Sequence, residues 1–217
     1  MKLSARLEAL VAMVGAPYPH IWDCCCDHGY LGYQLLETYP DSVIHFVDVV
    51  PLLVAQVDQL LTGTALPPDR WQTHCVDLKT LILPDKRQRH LMIIAGVGGD
   101  LMVEMVTQLL RNNKHQSLDF LLCPIRQLYK LRTELNQLGL GLVDEAIVKD
   151  GRHFYELIYV STGSERKISS VGDMWDLTNP VHREYLALNI EHYERMGAQV
   201  ANPAHPALQA YRKMLRC

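Results

Sequence analysis

Between residues 20 and 139 short apolar runs alternate with stretches of helical period, and this alternation restricts the fold more than any other feature. The runs HIWDC (20–24), SVIHFVDVV (42–50), WQTHCVDL (71–78), RHLMIIAGVGG (89–99) and LDFLLCPI (118–125) read as strands. Residues 29–39, 51–61, 100–113 and 127–139 between them read as helices, with Pro51 suited to a first helical turn and Gly139 to a helix end. Strand and helix recurring at about thirty residues per unit build a parallel sheet. Parallel neighbours need long crossovers, and each crossover helix must bury its apolar stripe against the sheet. Residues 142–161 read as two strands turning at Asp150-Gly151, a hairpin that suggests an antiparallel edge. Leu3, Leu7, Leu10, Val11 and Val14 predict an N-terminal helix, capped near Ser4 and ended by Pro17 and Pro19. After residue 163 the character changes. Thr178–Met196 is amphipathic and charged, Ala201–Pro206 breaks it, and Ala207–Leu215 is a further short helix. The expected organisation is an α/β domain over 1–163 and a small helical C-terminal appendage over 164–217.

Composition excludes several classes. At 217 residues, 48% hydrophobic and net charge -3, the chain is of ordinary globular make-up, with no global attraction to nucleic acid. No apolar run approaches the ~18 residues of a membrane span, and the N-terminus lacks the apolar core of a signal peptide, so no membrane role is expected and the cytoplasm is the expected location. Cys24-Cys25-Cys26 with His28 invites a metal reading. However, neighbouring cysteines on extended chain point to opposite faces, and Cys75, Cys123 and Cys217 supply no second pair. Small side chains filling a tight turn are the commoner explanation, and no metal is expected. Two basic runs, Lys86-Arg87 with Arg89, and Arg126, Lys130 and Arg132, read by default as solvated faces.

In an open parallel sheet the ligand lies beyond the carboxyl ends of the strands. The residues there are Asp23 to Gly29, Asp48, Asp77, Gly96-Val97-Gly98-Gly99 and Cys123-Pro124. Asp48, closing the second strand, suits the hydroxyls of a ribose. The first loop carries Asp23 and Asp27 rather than the glycines a pyrophosphate needs, so it repels a diphosphate and tolerates a cation. That favours S-adenosylmethionine, which has a sulfonium and no phosphate, although acids at strand ends also cap helices. Asp77 suits either an adenine amino group or a cap. The glycines at 96, 98 and 99 serve either close approach of backbone to a ligand or a tight strand-to-helix turn.

At these residues the chain resembles the bacterial TrmK methyltransferases, which use S-adenosylmethionine to methylate N1 of adenine 22 in tRNA. The family's L-S-x-R-L opening matches Leu3-Ser4-Ala5-Arg6-Leu7. Its D-x-G-S-D-H-A-Y-L loop matches at Asp23, Asp27, His28, Tyr30 and Leu31. Its A-G-M-G-G matches Ala95 to Gly99, and its E-D-G-x-x-Y-E matches at Asp150, Gly151, Tyr155 and Glu156. The resemblance implies a Rossmann-like class I methyltransferase sheet covered by helices on both faces. It implies that Asp23, Cys25, Asp27, His28, Asp48, Gly96, Val97, Gly98 and Gly99 hold S-adenosylmethionine, and Asp77, from its place after the third strand, is the further cofactor candidate. His28 is either a pocket residue or a structural one.

In the implied reaction a neutral adenine N1 attacks the methyl group, so positioning and accommodation of positive charge matter more than a general base. Asp27 is the candidate carboxylate and Tyr30 a candidate catalytic wall, with Arg6, Arg126 and Tyr155 on the substrate side. Lys130, Arg132 and Arg152 are further candidates for tRNA phosphates. The chain departs from the family at three places. Cys25 and Cys26 stand for a glycine and a serine, Cys123-Pro124-Ile125 stands for Q-P-N, and the tail is short. A cysteine at a positive-φ position would be strained. The lost polar pair favours an alternative substrate, a small molecule, and a non-catalytic S-adenosylmethionine-binding protein is a second alternative. The missing G-x-G-x-x-G argues against a nicotinamide enzyme.

Overall fold

A computed structural model of the chain describes residues 3–84, 88–199 and 205–215. Lys86, Arg87, Cys217 and most of the expected break at 201–206 lie outside the described residues. In chain order the elements are α1 (Ala5–Met13), β1 (His20–Cys24), α2 (Tyr30–Thr38), β2 (Val43–Asp48), α3 (Pro51–Thr62), β3 (Trp71–Cys75), β4 (His90–Ala95), α4 (Gly99–Asn112), β5 (Leu118–Cys123), α5 (Leu128–Gln137), β6 (Gly141–Asp150), β7 (His153–Ser161), α6 (Pro180–Gln199) and α7 (Pro206–Met214). The strands form one seven-stranded sheet in the order β3-β2-β1-β4-β5-β7-β6. Strands β1 to β5 pair in parallel, and β7 runs antiparallel to both neighbours.

The hairpin forms the expected antiparallel edge, and the structure adds its internal order. The reversed strand β7 is inserted beside β5, and β6 forms the edge. The reason is apolarity. Leu157, Ile158 and Val160 of β7 are fully buried, whereas β6 exposes Val143 and Asp144. Strand β3 also stops at Cys75, three residues short of expectation, because Asp77 turns the chain into a single-turn helix at Leu78–Thr80.

Alternate side chains of the strands feed two cores. Ile21, Phe46, Ile93 and Leu121 face α1, α2 and α3, and Trp22, Met92, Ile94 and Leu122 face α4 and α5. Helix α1 begins where expected, with the Ser4 hydroxyl accepting from the Leu7 N–H. The tail is fastened rather than loosely appended. Val171, Leu186, Ala207 and Tyr211 pack with Tyr129 of α5, and beneath them Arg132 is fully buried between Glu145 and Glu156, at 2.7 Å from each. Arg132 is thereby removed from the candidate phosphate ligands. Its planar guanidinium is saturated by two carboxylates and cannot reach solvent. In the other basic run, Arg89 pairs with buried Asp119. Among the described residues no helix is long and apolar enough to cross a membrane.

One polar feature crosses the core. His45 hydrogen-bonds His20 and His74, each at 3.0 Å, and stacks on Trp22 at 3.8 Å, while the Trp22 indole donates to His90. Burial, then the neighbouring imidazoles of His74, His20 and His90, push His45 down from 6.5 to about 2. The folded state thus binds the proton more weakly than the unfolded state. Stability from this site is complete above pH 6.5 and falls by about 1.4 kcal/mol per pH unit below it. Urea midpoints measured between pH 7.5 and 4.5 should show this decline, with a shallower slope in His45→Phe. Equal slopes in the two proteins would refute the account.

Candidate functional site

Consecutive strands run outward in one direction from β1 to β3 and in the other from β4 to β5, so the order reverses between β1 and β4. A crevice opens there at the carboxyl ends of the strands. Its first wall is the loop from Cys25 to Gly29. Cys25, Asp27 and Gly29 have φ of 59°, 51° and 71°, so two non-glycine residues occupy the left-handed region at about 1–2 kcal/mol each. The strain expected for Cys25 is present. Hydrogen bonds hold the loop in this shape: Cys26 N–H to Val47 O at 3.1 Å, Gly29 N–H to Cys26 O at 2.7 Å, and Asp27 N–H to Asp48 Oδ2 at 3.1 Å. Strain of this kind, maintained by the surroundings, is typical of ligand-binding loops.

The three thiols are packing groups. Cys24 and Cys26 are buried and Cys25 is half-buried. Burial pushes the Cys25 thiol up to about 11 and raises those of Cys24 and Cys26 too. They stay protonated at neutral pH, which makes them poor nucleophiles and poor metal ligands. Among the described residues no group of three or more His, Cys, Asp or Glu is placed to hold a metal.

The second wall is the loop after β4, and its glycines divide into two uses. Gly96 has φ +84 with open space where a Cβ would point, and it lines the crevice. A Cβ on Gly99 would meet the Gln127 and Arg126 carbonyl oxygens at 2.8 and 3.0 Å, and one on Gly98 would meet Arg126 Nε at 2.8 Å. Those two glycines let α4 start against the loop after β5. The same loops are clasped by Gly99 N–H to Arg126 O and Ile125 N–H to Val97 O, both at 3.0 Å.

The crevice has two halves of opposite character, joined at Cys25 and Val97, which line both. The polar half, about 210 Å³, is bounded by Arg6, Asp23, Asp27, His28, Tyr30 and Gly96, among others. The second half, about 220 Å³, is formed by Val49, Val76, Leu78, Leu101 and Met105, with Asp48 at its side. Asp23 is buried and accepts from the Gly32 N–H at 2.8 Å. Burial pushes its carboxyl up to about 7, against that hydrogen bond, and the nearby charges of Asp48 and Asp27 add to the rise. Three carboxylates converging on a small space fit a cationic ligand. Asp48 accepts from Asp27 N–H through one oxygen and from Val50 N–H through the other, and its remaining lone pairs are free for a ribose. A larger groove of about 660 Å³ lies between α1 and α2, away from the strand ends, and brings no convergent set of titratable groups.

The remaining expected residues fall as follows. Asp77 borders neither half; its carboxylate caps the turn at Leu78–Thr80 by accepting from Lys79 N–H at 2.9 Å. Exposed Tyr30 sits on the rim, its ring tilted against that of His28, which is also exposed. Arg126 is exposed beside Gly98. Tyr155 is no open wall, because the Arg6 guanidinium lies 4.9 Å from its ring centre. Lys130 is engaged with Asp100 at 2.7 Å, and Arg152 remains exposed on the hairpin. Cys123 and Pro124 are buried and Ile125 is exposed, so the loop after β5 brings no polar side chain of those three to the crevice. Of the apolar half, sequence reasoning named Cys25, Asp48 and Val97 and missed Val49, Val76, Leu78, Leu101 and Met105, which belong to ordinary apolar patterns. It also missed Gln127, whose φ of 63° and hydrogen bonds to Asp100 lock the rim.

Residues 3–158 match a family model described as a methyltransferase domain. No curated protein matches the sequence. Among solved structures, a Streptococcus pneumoniae protein provisionally assigned as a tRNA (m1A22) methyltransferase, solved with S-adenosyl-L-methionine, is 21% identical with a TM-score of 0.80. That alignment covers 99% of this chain and 100% of the other. The B. subtilis m1A22 tRNA methyltransferase TrmK is 16% identical with a TM-score of 0.69, covering 99% and 96%. The Synechocystis magnesium protoporphyrin IX methyltransferase with bound SAM, at 14% identity and TM-score 0.55, covers 72% and 76%. At these identities the likeness is one of fold.

Proposed function

The chain belongs to the methyltransferase-domain family, and from that premise we propose that it is an S-adenosylmethionine-dependent N-methyltransferase acting on N1 of an adenine in tRNA. The observation that carries the cofactor reading is the two-part crevice. A polar half ringed by Asp23, Asp27 and Arg6 suits a methionyl end with its sulfonium, Asp48 suits a ribose, and the Val76–Leu78–Met105 half suits an adenine. Support for the tRNA substrate comes from the extent of the likeness. It runs through the helical tail for the two tRNA enzymes and spans 72% of the chain for the porphyrin enzyme. On this reading the tail, 164–217, is an appendage that grips RNA, and the protein works in the cytoplasm.

When bound, S-adenosylmethionine supplies an electrophilic methyl group. Asp27, exposed at the crevice mouth, faces the positive charge that moves onto the base as N1 is alkylated. Tyr30 and His28 offer flat rings on the rim against which an unstacked base can lie. Arg126 and Arg152, both exposed, are the phosphate ligands left after Arg132 and Lys130 are accounted for. Gly96 presents bare backbone to the crevice. A second reading, a small-molecule substrate, is favoured by exposed Ile125, which offers the substrate a hydrocarbon surface in place of polar groups.

Transfer of label from S-adenosylmethionine to unmodified tRNA tests the proposal. The expected result is N1-methyladenine in the digest, reduced about 100-fold by Asp27→Ala. Cofactor binding without any transfer to tRNA would refute the RNA substrate and leave the small-molecule reading standing.

A further inference from the structure

Helix α6 carries more apolar surface than its own chain covers. Leu186 is buried in the tail's core with Ala207 and Tyr211, yet the adjoining face of the helix opens on a groove of about 370 Å³. Leu186, Ala187 and Ile190 of α6 line it, together with Leu215 just beyond α7, and Ala187 and Leu215 are exposed. Its charged lining groups are Arg183, Glu191 and Glu194, the arginine towards the start of α6 and the two acids further along.

The groove has an internal symmetry. Arg183, Ala187, Ile190 and Glu194 line it at spacings of four, three and four residues, which is the spacing of a coiled-coil seam. The series reads the same in both directions. A second α6 laid antiparallel on the first sets Arg183 opposite Glu194 and Ala187 opposite Ile190, and a two-fold axis repeats each contact. The small side chain of Ala187 near the centre lets the two helices approach closely.

The charges are disposed for that pairing. Arg183 Nη1 donates to the carbonyls of Leu177 and Thr178, both at 2.8 Å, and its guanidinium has no acid partner among the described residues. It is therefore held in place while its charge stays unmatched. Glu194 accepts from Arg212 through one oxygen at 2.6 Å, and Glu191 lies 3.9 Å from Arg195. Neither of those arginines lines the groove. Both pairs are exposed, and such pairs are weak, so each acid keeps an oxygen for a cation arriving from outside.

We propose that a second copy of this chain docks in the groove, α6 against α6 and antiparallel, to form a two-fold dimer through the tail. The order of charges singles out a copy of the chain as the partner, since each end of the groove carries the ion that the opposite end requires. None of these residues lines the crevice, so the inference is independent of the cofactor reading.

Sedimentation equilibrium of the intact chain tests it. A small, partly polar interface of this kind should give a dissociation constant on the order of 10 µM, several-fold weaker at high salt. Arg183→Glu and Glu194→Arg each place like charges across the axis and should weaken self-association by more than about 10-fold. An equimolar mixture of the two variants should restore the dimer, because one chain then offers only glutamates at these positions and the other only arginines. Ala187→Glu, at an exposed position, should abolish the dimer without disturbing the fold, read by circular dichroism. A wild-type chain that stays monomeric at about 200 µM would overturn the proposal and leave the groove to a different partner. A dimer that all three variants leave unchanged would overturn it too, as would a mixture that associates no better than either variant alone.

Discussion

Replacing Arg132 by methionine is expected to destabilise the chain by about 3–5 kcal/mol, the cost of stripping a buried charge network of its only cation. Glu145 and Glu156 are buried on either side of it. Burial pushes the Glu156 carboxyl up, and the Arg132 charge is the strongest influence bringing it back down. Without the guanidinium, either two carboxylates stay charged in a core or they take up protons and lose their acceptor geometry. The same network fastens the tail. Glu145 accepts from the Asp173 N–H at 2.6 Å, Glu156 from the Tyr185 hydroxyl at 3.0 Å, and Arg132 reaches the Ser169 carbonyl at 3.4 Å. The variant should therefore release the segment around Ser169–Tyr185 to protease before the sheet unfolds. None of the residues lining the crevice is a partner of Arg132, so S-adenosylmethionine affinity, measured well below the melting temperature, should stay within about twofold of wild type, since sites without shared partners act independently. Adding Glu145→Gln and Glu156→Gln to the variant should recover part of the loss, because an uncharged set lacks the unmatched ions. Denaturant titration decides it: an Arg132→Met chain within about 1 kcal/mol of wild type would mean that the network does not carry charge in the folded state.

Asp48→Ala should cost the cofactor about 100-fold in affinity, roughly 3 kcal/mol, from the loss of two hydrogen bonds between ribose hydroxyls and an ionised acceptor. The substitution also frees the N–H groups of Asp27 and Val50, which relaxes a loop held at positive φ by those contacts. Asp48→Asn should be nearly as damaging. An amide keeps one acceptor, but its NH2 must then face either a ribose hydroxyl or a backbone N–H that already donates. Calorimetry with S-adenosylhomocysteine reads the effect without turnover. Unchanged affinity in Asp48→Ala would remove the ribose from this carboxylate and turn the nucleoside elsewhere in the crevice.

Much of this molecule is legible without coordinates. HIWDC became β1 residue for residue, and the helix begun by Pro51 ends within a residue of its expected limit. Both follow from local chemistry: alternating burial in a short strand, and a proline that pre-sets the first helical turn. The loop from Cys25 to Gly29 was legible for the same reason, since its acids, its spacing and its place after a strand are all neighbours in the chain. The two uses of the glycines after β4 were not. Gly96 differs from Gly98 and Gly99 in its positive φ and in what stands opposite, which for the latter pair is the Arg126–Gln127 backbone and side chains.

What the order of residues determined by itself is the parallel α/β sheet, the loops that follow its strands, and the acids that the first of those loops carries. These rest on interactions a few residues long. Only the tertiary structure decided which charges are solvated and which are buried. Arg132 looks like its basic neighbours in sequence, yet it is enclosed by acids from β6 and β7. Arg6 meets Asp150 and Tyr155 only because α1 packs beside the hairpin. The insertion of β7 beside β5 likewise depended on competition between two strands for the buried position, won by the more apolar one. The energy of a charge or a strand edge depends on what faces it, and in this fold those partners are supplied by segments distant along the chain.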